Sequence, residues 1–373
     1  MGNKVLVTGG AGFIGSHLVD ALLRRGDTVR VLDNLLPQAH PSGKARFLSP
    51  EAELIVGDLR DRAAVDRALD GIDTVFHQGG MVGNGQSMYD IQRYTDVNVT
   101  GTANLVEAMV SRRAQFRKFV VASSMVVYGD GAYRCAVHGV LQHAVRPETR
   151  LRARQWEPLC PACGAEVQPT PTSEEHAQRP TSTYGTSKRA QEELCLVLGR
   201  AYKMPTVALR YLNTYGSRQA LQNPYTGVAA IMSMRLLNNK APVIFEDGAQ
   251  LRDLTHVSDV VAANIAAAEA GPEADYEPFN IGTGRSVTVL HMARTLAKKL
   301  GREIEPEVTG QFREGDIRHC LADVSKARRL LSWEARVTFD DGADELATWA
   351  AGERPADLTE KANAELREKG LIR

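Results

Sequence analysis

The chain has 373 residues, which is long for one ordinary domain and suits two domains, or one domain that carries insertions. It has 45 basic and 45 acidic side chains, so its formal net charge is zero, which excludes a polyelectrolyte built to coat nucleic acid or an anionic membrane. Hydrophobic residues make up 43%, as in a globular protein, and no apolar run approaches the roughly 18 residues of a membrane span.

The first predicted unit is a strand, a glycine-rich turn and a helix. Apolar residues predict a buried strand over 4–8, and an amphipathic pattern predicts a helix over 16–25. Between them, Gly9, Gly12 and Gly15 have a spacing that lets a pyrophosphate approach the helix N-terminus, because the turn carries no side chains. A strand and helix without a ligand are the alternative for this segment.

The next two predicted strands each end beside an acidic residue. The strand over 28–32 is followed by Asp33, whose carboxylate can bind the adenosine ribose hydroxyls and would repel a 2′-phosphate. The sequence therefore favours NAD over NADP. The strand over 53–56 is followed by Asp58, which either accepts a hydrogen bond from the adenine amino group or caps a helix that begins near Asp61.

Strands and helices continue to alternate along the chain. Further strands are predicted at 74–77, 118–123 and 206–210, with helical patterns between them. This alternation is typical of a parallel sheet with helices on both faces, and ligands bind such sheets at the carboxyl ends of the strands. We therefore expect a doubly wound parallel sheet of the Rossmann type, in the α/β class.

Candidate catalytic residues occur at two places far apart in the sequence. Ser123 and Ser124 end the fifth predicted strand, whereas Tyr184 and Lys188 open a helical run that extends to Tyr202. Residues four apart share one helix face, and an ammonium group near a phenol lowers the pKa of the phenol towards the range of a general base. A serine hydroxyl at the strand end could orient a substrate hydroxyl and share its proton.

The segment between these two places, roughly 131–178, differs in composition from the rest and contains three of the five cysteines. It holds a CxxHG pattern at Cys135 and His138 and a CPxCG pattern at Cys160 and Cys163. Three thiolates and one imidazole complete a tetrahedral zinc site, and a small insertion that buries little core is stabilised by such a metal. All four positions are protein ligands, which predicts a structural zinc; two loops with unpaired thiols are the alternative.

Together these motifs resemble those of the extended short-chain dehydrogenase/reductases, and among them the nucleotide-sugar epimerases and dehydratases. The resemblance covers nearly the whole chain apart from the insertion, and is carried by the segments 8–15, 33–34, 58–59, 97–98, 123–129, 184–188, 209–216, 252–257, 279–282 and 312–318. It implies that Ser124, Tyr184 and Lys188 are the catalytic trio. It also implies a tightly bound NAD and a homodimer formed by helices near 102–112 and 184–202.

The resemblance implies the residues that bind each ligand. The residues implied for NAD are Gly9, Gly12, Phe13, Ile14, Gly15, Asp33, Asn34, Asp58, Leu59, Gln78, Gly79, Gly80, Asn98, Ser123, Tyr184, Lys188 and Tyr211. The residues implied for the nucleotide sugar are Ser124, Asn213, Arg252, Arg313 and Asp316. Asn213 and the two arginines would contact the diphosphate, and Asp316 would hold Arg313 or the ribose. The segment 78–80 departs from the Leu-Ala-Ala that is usual in the family.

The residues after Ser124 separate the reactions that this family derives from a 4-keto sugar. Family members that act as 4,6-dehydratases carry an Asp-Glu pair there, decarboxylases carry a Glu, and the fucose-synthase type carries a Cys. This chain has Met125 and Val126, and neither transfers a proton. The resemblance therefore implies C4 epimerisation, in which Tyr184 takes the C4 hydroxyl proton and the hydride leaves C4 and returns on the other face.

The expected substrate is a nucleotide-activated hexose. Segments 82–89 and 242–248 are similar to those of the group that epimerises dTDP-L-rhamnose, which implies a dTDP-6-deoxyhexose. The alternatives are a UDP-hexose or UDP-hexuronate 4-epimerase, an NAD(P)H-dependent 4-ketoreductase of a dTDP-sugar, and a non-catalytic NAD-sensing regulator. A ketoreductase would show net oxidation of its cofactor, and a regulator would not need the whole catalytic trio.

The insertion also contains a basic run at Arg146, Arg150, Arg152 and Arg154. Acidic residues dilute this run, so we expect a solvated face or a substrate-facing lid and no nucleic-acid partner. Because the insertion joins the catalytic strand to the catalytic helix, we expect it to cap the sugar pocket or to make a subunit contact.

We expect two domains and a cytoplasmic protein. An NAD-binding Rossmann domain covers 1–212 and carries the insertion at 131–178, and a smaller α+β nucleotide-sugar-binding domain covers 213–373. Segments such as 256–268 are expected to return to the first domain. Five cysteines are too few for a disulfide scaffold, which favours a reducing compartment, and Cys195 and Cys320 are expected to be packing residues.

Overall fold

The structure is a computed structural model that describes residues 2–353 and 356–373. Its strands are, in chain order, β1 (Lys4–Thr8), β2 (Thr28–Asp33), β3 (Glu53–Val56), β4 (Thr74–His77), β5 (Lys118–Ser124), β6 (Tyr133–Cys135), β7 (Gly139–Leu141), β8 (Gln168–Pro169), β9 (Thr206–Tyr211), β10 (Asn213–Tyr215), β11 (Val243–Ile244), β12 (Leu251–Arg252), β13 (Leu254–His256), β14 (Glu277–Ile281), β15 (Val287–Thr288) and β16 (Glu307–Val308). Its helices are α1 (Phe13–Arg24), α2 (Arg62–Leu69), α3 (Asn84–Ser87), α4 (Ile91–Thr95), α5 (Gly101–Val110), α6 (Glu148–Arg152), α7 (Thr183–Tyr202), α8 (Val228–Leu237), α9 (Val257–Glu269), α10 (Val289–Lys299), α11 (Ser325–Leu331), α12 (Phe339–Ala351) and α13 (Thr359–Glu368). Within this described part of the chain, no helix is long and apolar enough to cross a membrane.

Seven of the described strands form one parallel sheet in the order β14-β9-β5-β4-β1-β2-β3. Its inner part has the strand order of a doubly wound Rossmann sheet, which β9 and β14 extend at one edge. The six strands that the sequence predicted are all present, with ends that differ by at most one residue. The predicted fold class is confirmed.

Helices cover both faces of this sheet. Successive residues of β1 alternate between two apolar cores: Val5 and Val7 pack with α1, α9 and α11, whereas Leu6 packs with α2, α5 and α7. Cys195 on α7 is fully buried in the second core, which agrees with its predicted packing role. Burial on both faces explains why the strands are continuous apolar runs in the sequence.

Residues from 213 onward build a smaller layer around a separate core. That core joins α8, α10 and α12 to Tyr215 and Leu254. Two segments of this half return to the large sheet, because α9 packs on α1 and β14 pairs with β9. The helix α9 matches the return that was expected near 256–268, and the boundary expected at 212 stays a prediction.

The insertion forms a small unit of its own between β5 and α7. Its strands pair antiparallel in the order β7-β6-β8. The apolar core of this unit is small and consists of Tyr133, Cys135, Leu141, Cys160 and Val167. A core of this size supplies little stability by itself.

A buried ion pair joins α7 to the sheet. Arg210 on β9 donates to Glu192 on α7 with an Nη2–Oε1 distance of 2.5 Å, and both side chains are almost fully buried. Glu192 also accepts from the Ser123 hydroxyl at 2.5 Å, and Arg210 donates to the Tyr128 phenol at 2.7 Å. Removing one partner of such a pair leaves an uncompensated buried charge.

We expect the substitution Glu192→Ala to lower the free energy of unfolding by about 3–5 kcal/mol, measured by denaturant titration, because the Arg210 guanidinium loses its counter-ion. The matched control is Glu193→Ala, which removes a surface pair with Arg189 at 2.9 Å. The control should lower the free energy of unfolding by less than about 1 kcal/mol. Equal losses in the two variants would contradict this account of the pair.

Candidate active site

A cavity of about 860 Å³ lies at the carboxyl ends of the parallel strands and extends under the C-terminal layer. The residues predicted to bind cofactor and substrate line this cavity, with the exception of Asn98. The structure thus brings together residues that are more than 300 positions apart, from Gly9 to Asp316.

The turn after β1 leaves room for a ligand because three of its four residues are glycines. Gly9 has a φ of 67°, and a Cβ on Gly15 would lie 2.2 Å from the Gly9 carbonyl oxygen. Gly12 is the N-cap of α1 and supplies no side chain to the N–H groups of the first turn. Such free N–H groups at a helix N-terminus bind anions, so the turn fits a pyrophosphate.

Asp33 lies at the cavity wall where β2 ends. Its Oδ2 atom accepts the Ala11 N–H at 3.1 Å, and its Oδ1 atom accepts the Leu35 N–H at 2.9 Å. Each carboxylate oxygen can accept a second hydrogen bond. Asp33 is therefore held in place with acceptor capacity left for a pair of ribose hydroxyls.

Asp58 has a different set of partners at the end of β3. Arg60 donates to its two carboxylate oxygens at 2.8 and 2.9 Å, and the Asn34 amide donates at 3.0 Å. The hydrogen bond from Arg60 holds the pKa of Asp58 well below its usual range. The cap of α2 is Asp61, which accepts the Ala63 N–H at 2.9 Å, so the alternative in which Asp58 caps this helix is wrong.

The cavity wall brings Ser124, Tyr184 and Lys188 together. The helix α7 begins at Thr183 because the Ser182 hydroxyl caps its first turn, which places Tyr184 and Lys188 on one helix face beside the end of β5. The Ser124 hydroxyl lies near enough to the Tyr184 phenol to favour its ionised form.

Burial determines the pKa values of this trio. It raises the pKa of Tyr184 to about 12, against which the nearby Ser124 hydroxyl acts, and it lowers the pKa of Lys188 to about 8. The Lys188 ammonium donates to the Ala122 carbonyl and to Gln191 Oε1, each at 2.5 Å. The expectation that Lys188 lowers the pKa of the phenol is therefore not met here, because burial dominates and the ammonium bonds elsewhere.

Two apolar residues follow Ser124 on the cavity wall. Met125 and Val126 are both buried, and the Met125 sulfur lies 3.1 Å from the Cys320 sulfur. Neither Met125 nor Val126 exchanges a proton. The wall beside Ser124 thus lacks, at these two positions, the acid pair of the 4,6-dehydratases.

The predicted diphosphate residues line the half of the cavity that the C-terminal layer forms. Arg313 donates to Asp316 at 2.7 Å and stacks on Phe245, with 4.5 Å between the guanidinium carbon and the ring centre. Arg252 donates to three backbone carbonyls, those of Leu251, Ile317 and Arg318, at 2.6–2.9 Å. Burial lowers the pKa of Arg252, and these carbonyls fix its orientation.

Three buried amide oxygens in this half lack a hydrogen-bond partner among the described residues. They are Asn213 Oδ1, Gln219 Oε1 and Gln250 Oε1, and all three residues line the cavity. A buried polar atom without a partner is rare, so these oxygens indicate where a polar ligand binds. Sequence reasoning missed the two glutamines, because nothing in the local pattern separates them from other surface amides.

Asn98 lies behind the cavity wall. Its amide bonds to the N–H and carbonyl of Met81 at 2.7 and 3.1 Å and to the Ser187 hydroxyl at 2.9 Å. All of its hydrogen-bonding atoms are therefore used within the protein. Asn98 braces the segment after β4 against α7.

The C-terminal helix α13 forms part of the cavity wall, a role that the sequence did not indicate. Ala362, Asn363 and Leu366 line the cavity, and a Cβ on Gly85 would lie 3.3 Å from Leu366. Beyond the helix, Arg373 and Phe312 exchange backbone hydrogen bonds at 2.9 and 3.0 Å, next to Arg313. The sequence shows only a Glu/Lys-rich amphipathic helix, and its packing partner is set by the tertiary fold.

In the insertion, the predicted metal ligands meet. The ligand atoms of Cys135, His138, Cys160 and Cys163 all lie within 4.8 Å of one another. The His138 Nδ1 atom is 3.6 Å from Cys135 Sγ and 3.5 Å from Cys160 Sγ. These spacings match the edges of about 3.5–3.8 Å in a tetrahedral zinc site. Backbone N–H groups, first that of His138, lower the pKa of Cys135 to about 6, which favours the thiolate that binds metal.

The basic run of the insertion requires a correction. Arg146 was expected on a solvated face or in a lid over the pocket, but it is buried and forms an ion pair with the buried Glu246. Arg150 and Arg152 do form surface pairs, at 2.5 Å with Glu166 and at 2.7 Å with Glu148. The burial of Arg146 depends on a partner 100 positions away, which a local charge pattern does not indicate.

Known proteins resemble this chain over nearly its whole length. Residues 5–147 match the NAD dependent epimerase/dehydratase family, and residues 164–346 match the GDP-mannose 4,6 dehydratase family. The dTDP-L-rhamnose 4-epimerase of Burkholderia thailandensis is 36% identical over 359 residues, which cover 94% of this chain and 96% of that protein.

Solved structures share the fold. The UDP-glucose 4-epimerase of Thermotoga maritima, solved with UDP-glucose, has a TM-score of 0.75 and 31% identity, and the match covers 93% of this chain and 98% of that one. The UDP-glucose 4-epimerase of Thermus thermophilus, solved with NAD, has a TM-score of 0.75 and 29% identity, and the match covers 94% and 100%. The likeness therefore includes both halves of the cavity.

Proposed function

The chain belongs to the NAD-dependent nucleotide-sugar 4-epimerases of the extended short-chain dehydrogenase/reductase family, and we propose that its substrate is a dTDP-6-deoxyhexose such as dTDP-L-rhamnose. The observation that carries this choice of sugar is the identity of 36% with a dTDP-L-rhamnose 4-epimerase, against 31% with the UDP-glucose 4-epimerase of Thermotoga maritima. A UDP-hexose is the second candidate, favoured by the UDP-glucose epimerases with the same fold.

We assign proton transfer at the sugar C4 hydroxyl to Tyr184, with Ser124 orienting that hydroxyl. The proximity of the Ser124 hydroxyl to the phenol supports this assignment, because one substrate hydroxyl can reach both groups. Lys188 shares the helix face of Tyr184, and its ammonium favours the phenolate once it turns from the Ala122 carbonyl towards the phenol. Bound NAD supplies the hydride acceptor and donor at C4.

The nucleotide must carry the binding energy, since an epimerase has to present both faces of C4 to one hydride site. The hexose turns while the diphosphate stays bound. We assign the diphosphate to Arg252 and Arg313 and a further polar contact to Asn213. These three residues lie in the C-terminal part of the chain, whereas the candidate catalytic residues lie on β5 and α7. This separation supports a division of the cavity into one half that binds the nucleotide and one half in which the sugar reacts. This division also supports the proposed domain boundary near 212.

We further propose a homodimer that pairs the helices of 91–110 and 183–202. Ile91 and Val197 on these helices are large apolar residues with more than half of their surface exposed. A second copy of the chain would cover them. Sedimentation equilibrium of the purified protein measures the assembly.

The substrate assignment predicts which nucleotide sugar is inverted. We expect the purified protein to interconvert dTDP-L-rhamnose and its C4 epimer, followed by NMR of the sugar protons, with no net change in cofactor oxidation state. If the protein inverts UDP-glucose and not dTDP-L-rhamnose, the proposed substrate is wrong, whereas the assignment as a 4-epimerase still holds. Consumption of added NAD(P)H by a 4-keto sugar would instead indicate the ketoreductase alternative.

The proton-transfer assignment predicts the effect of Tyr184→Phe. We expect kcat to fall by about 10²–10⁴, because the variant lacks the group that takes the C4 proton, while the NAD content stays unchanged. The control is Tyr202→Phe, which removes a hydroxyl from the exposed end of the same helix and should leave kcat unchanged. Turnover of Tyr184→Phe at the parent rate would contradict the assignment.

We also propose that the insertion binds one structural Zn²⁺ through Cys135, His138, Cys160 and Cys163. The cluster of their ligand atoms supports this, as does the small core of the insertion. With four protein ligands the metal has no open position for substrate, so its role is to stabilise the fold.

The zinc proposal predicts one zinc per chain by elemental analysis. Cys163→Ser should lose this metal and unfold at a lower temperature, because the insertion then keeps only its small core. Cys195→Ala removes a thiol outside the cluster and should retain the metal. Purified parent protein that is free of metal and equally stable with and without added zinc would contradict the proposal.

A further inference from the structure

Buried charges join the insertion to the segment that lines the nucleotide half of the cavity. Arg146 donates from Nη1 to the Asp316 carbonyl at 3.2 Å and from Nε to the Trp156 carbonyl at 3.2 Å. Its remaining nitrogen forms the ion pair with Glu246. One side chain of the insertion thereby holds both the insertion itself and the turn that carries Asp316.

A second contact from the insertion reaches the residues that follow this turn. Glu157 accepts from Arg318 at 2.5 and 3.0 Å and lies 2.9 Å from the His319 imidazole. Arg318 is only 1% exposed and also donates to Glu246 at 2.9 Å and to Asp247 at 2.6 Å. Three carboxylates around one guanidinium fix the direction of the planar group and of the backbone that carries it.

This backbone in turn holds a proposed substrate residue. The carbonyls of Ile317 and Arg318 accept from Arg252 at 2.6 and 2.9 Å. The same short segment carries Arg313, whose partner Asp316 is held by Arg146 through its carbonyl. Both arginines that we assign to the diphosphate therefore have positions that depend on 313–319, and the insertion holds this segment at two points.

We propose that the insertion is a positioning element for the nucleotide-sugar site, which it controls through Arg146 and Glu157. The inference rests on the proposed assignment of Arg252 and Arg313 to the diphosphate. Neither Arg146 nor Glu157 lines the cavity, so each acts through 313–319. Apolar contacts would hold a segment that only covers the surface without the desolvation cost of buried charges. Buried ion pairs carry that cost, but they fix the orientation of the groups that they join.

The test measures diphosphate binding directly. Calorimetric titrations of dTDP and of UDP are made on the NAD-loaded enzyme and on its Arg146→Gln and Glu157→Gln variants. We expect the Kd of the diphosphate to rise about tenfold in each variant, since small displacements of charged groups weaken binding strongly. The value of kcat at saturating nucleotide sugar and the NAD content should stay unchanged, because the catalytic trio is not part of this network.

The matched control is Arg150→Gln, which removes an ion pair with Glu166 inside the same insertion. This pair does not touch 313–319, so the Kd should equal that of the parent. Glu157→Gln keeps an oxygen acceptor on a partly exposed side chain, which provides a folded variant if Arg146→Gln melts below the assay temperature.

The outcomes separate the two proposals. If the parent binds dTDP or UDP and both variants bind it equally well, the insertion does not position the site, and the inference is overturned alone. A fall in kcat at unchanged Kd overturns it as well, because the network would then act on the catalytic residues. If the parent binds neither diphosphate, the proposed function fails, and the inference fails with it.

Discussion

The common direction of the seven strands in the large sheet determines where its functional side chains can lie. Parallel strands open their carboxyl ends along one edge, and a residue that follows a strand reaches the cavity only there. Gly9, Asp33, Asp58 and Ser124 are separated widely in the chain, yet each ends or follows a strand of this sheet. The C-terminal layer then closes the cavity from above with its own polar residues.

Burial is the second constraint, and it acts on most of the charged groups that matter. Burial raises the pKa of the Tyr184 phenol and lowers the pKa of the Lys188 ammonium. Both shifts favour the neutral form of the group, as expected for groups removed from water. Arg210 keeps its charge beside the Glu192 carboxylate, and Arg318 keeps its charge among three carboxylates. Burial thus shifts the pKa values of Tyr184 and Lys188, whereas the paired charges of Arg210 and Arg318 fix the geometry around them.

The strands and the catalytic spacing could be predicted from the sequence because both are local patterns. A run of apolar residues followed by a glycine turn and an amphipathic segment predicts a strand, a turn and a helix, and the four-residue step from Tyr184 to Lys188 places both residues on one face of any helix. The four residues of the proposed zinc site were also found by local spacing. The buried Arg146 and the cavity-lining Asn363 were not, because their surroundings come from segments 100 or more positions away. The direction of the Tyr184 pKa likewise depends on how deeply the fold buries the phenol.

The pairing of β14 with β9 has a consequence for how the polypeptide matures. The edge strand of the large sheet is Glu277–Ile281, so a nascent chain that has emerged only through β9 carries an unpaired strand edge. The first apolar core is also incomplete at that stage, since it needs Val260 from α9 and Phe279 from β14. Non-local pairing of this kind slows folding and leaves apolar surface exposed in intermediates. The large sheet is therefore finished late in biosynthesis, and the two halves of the chain mature as one unit.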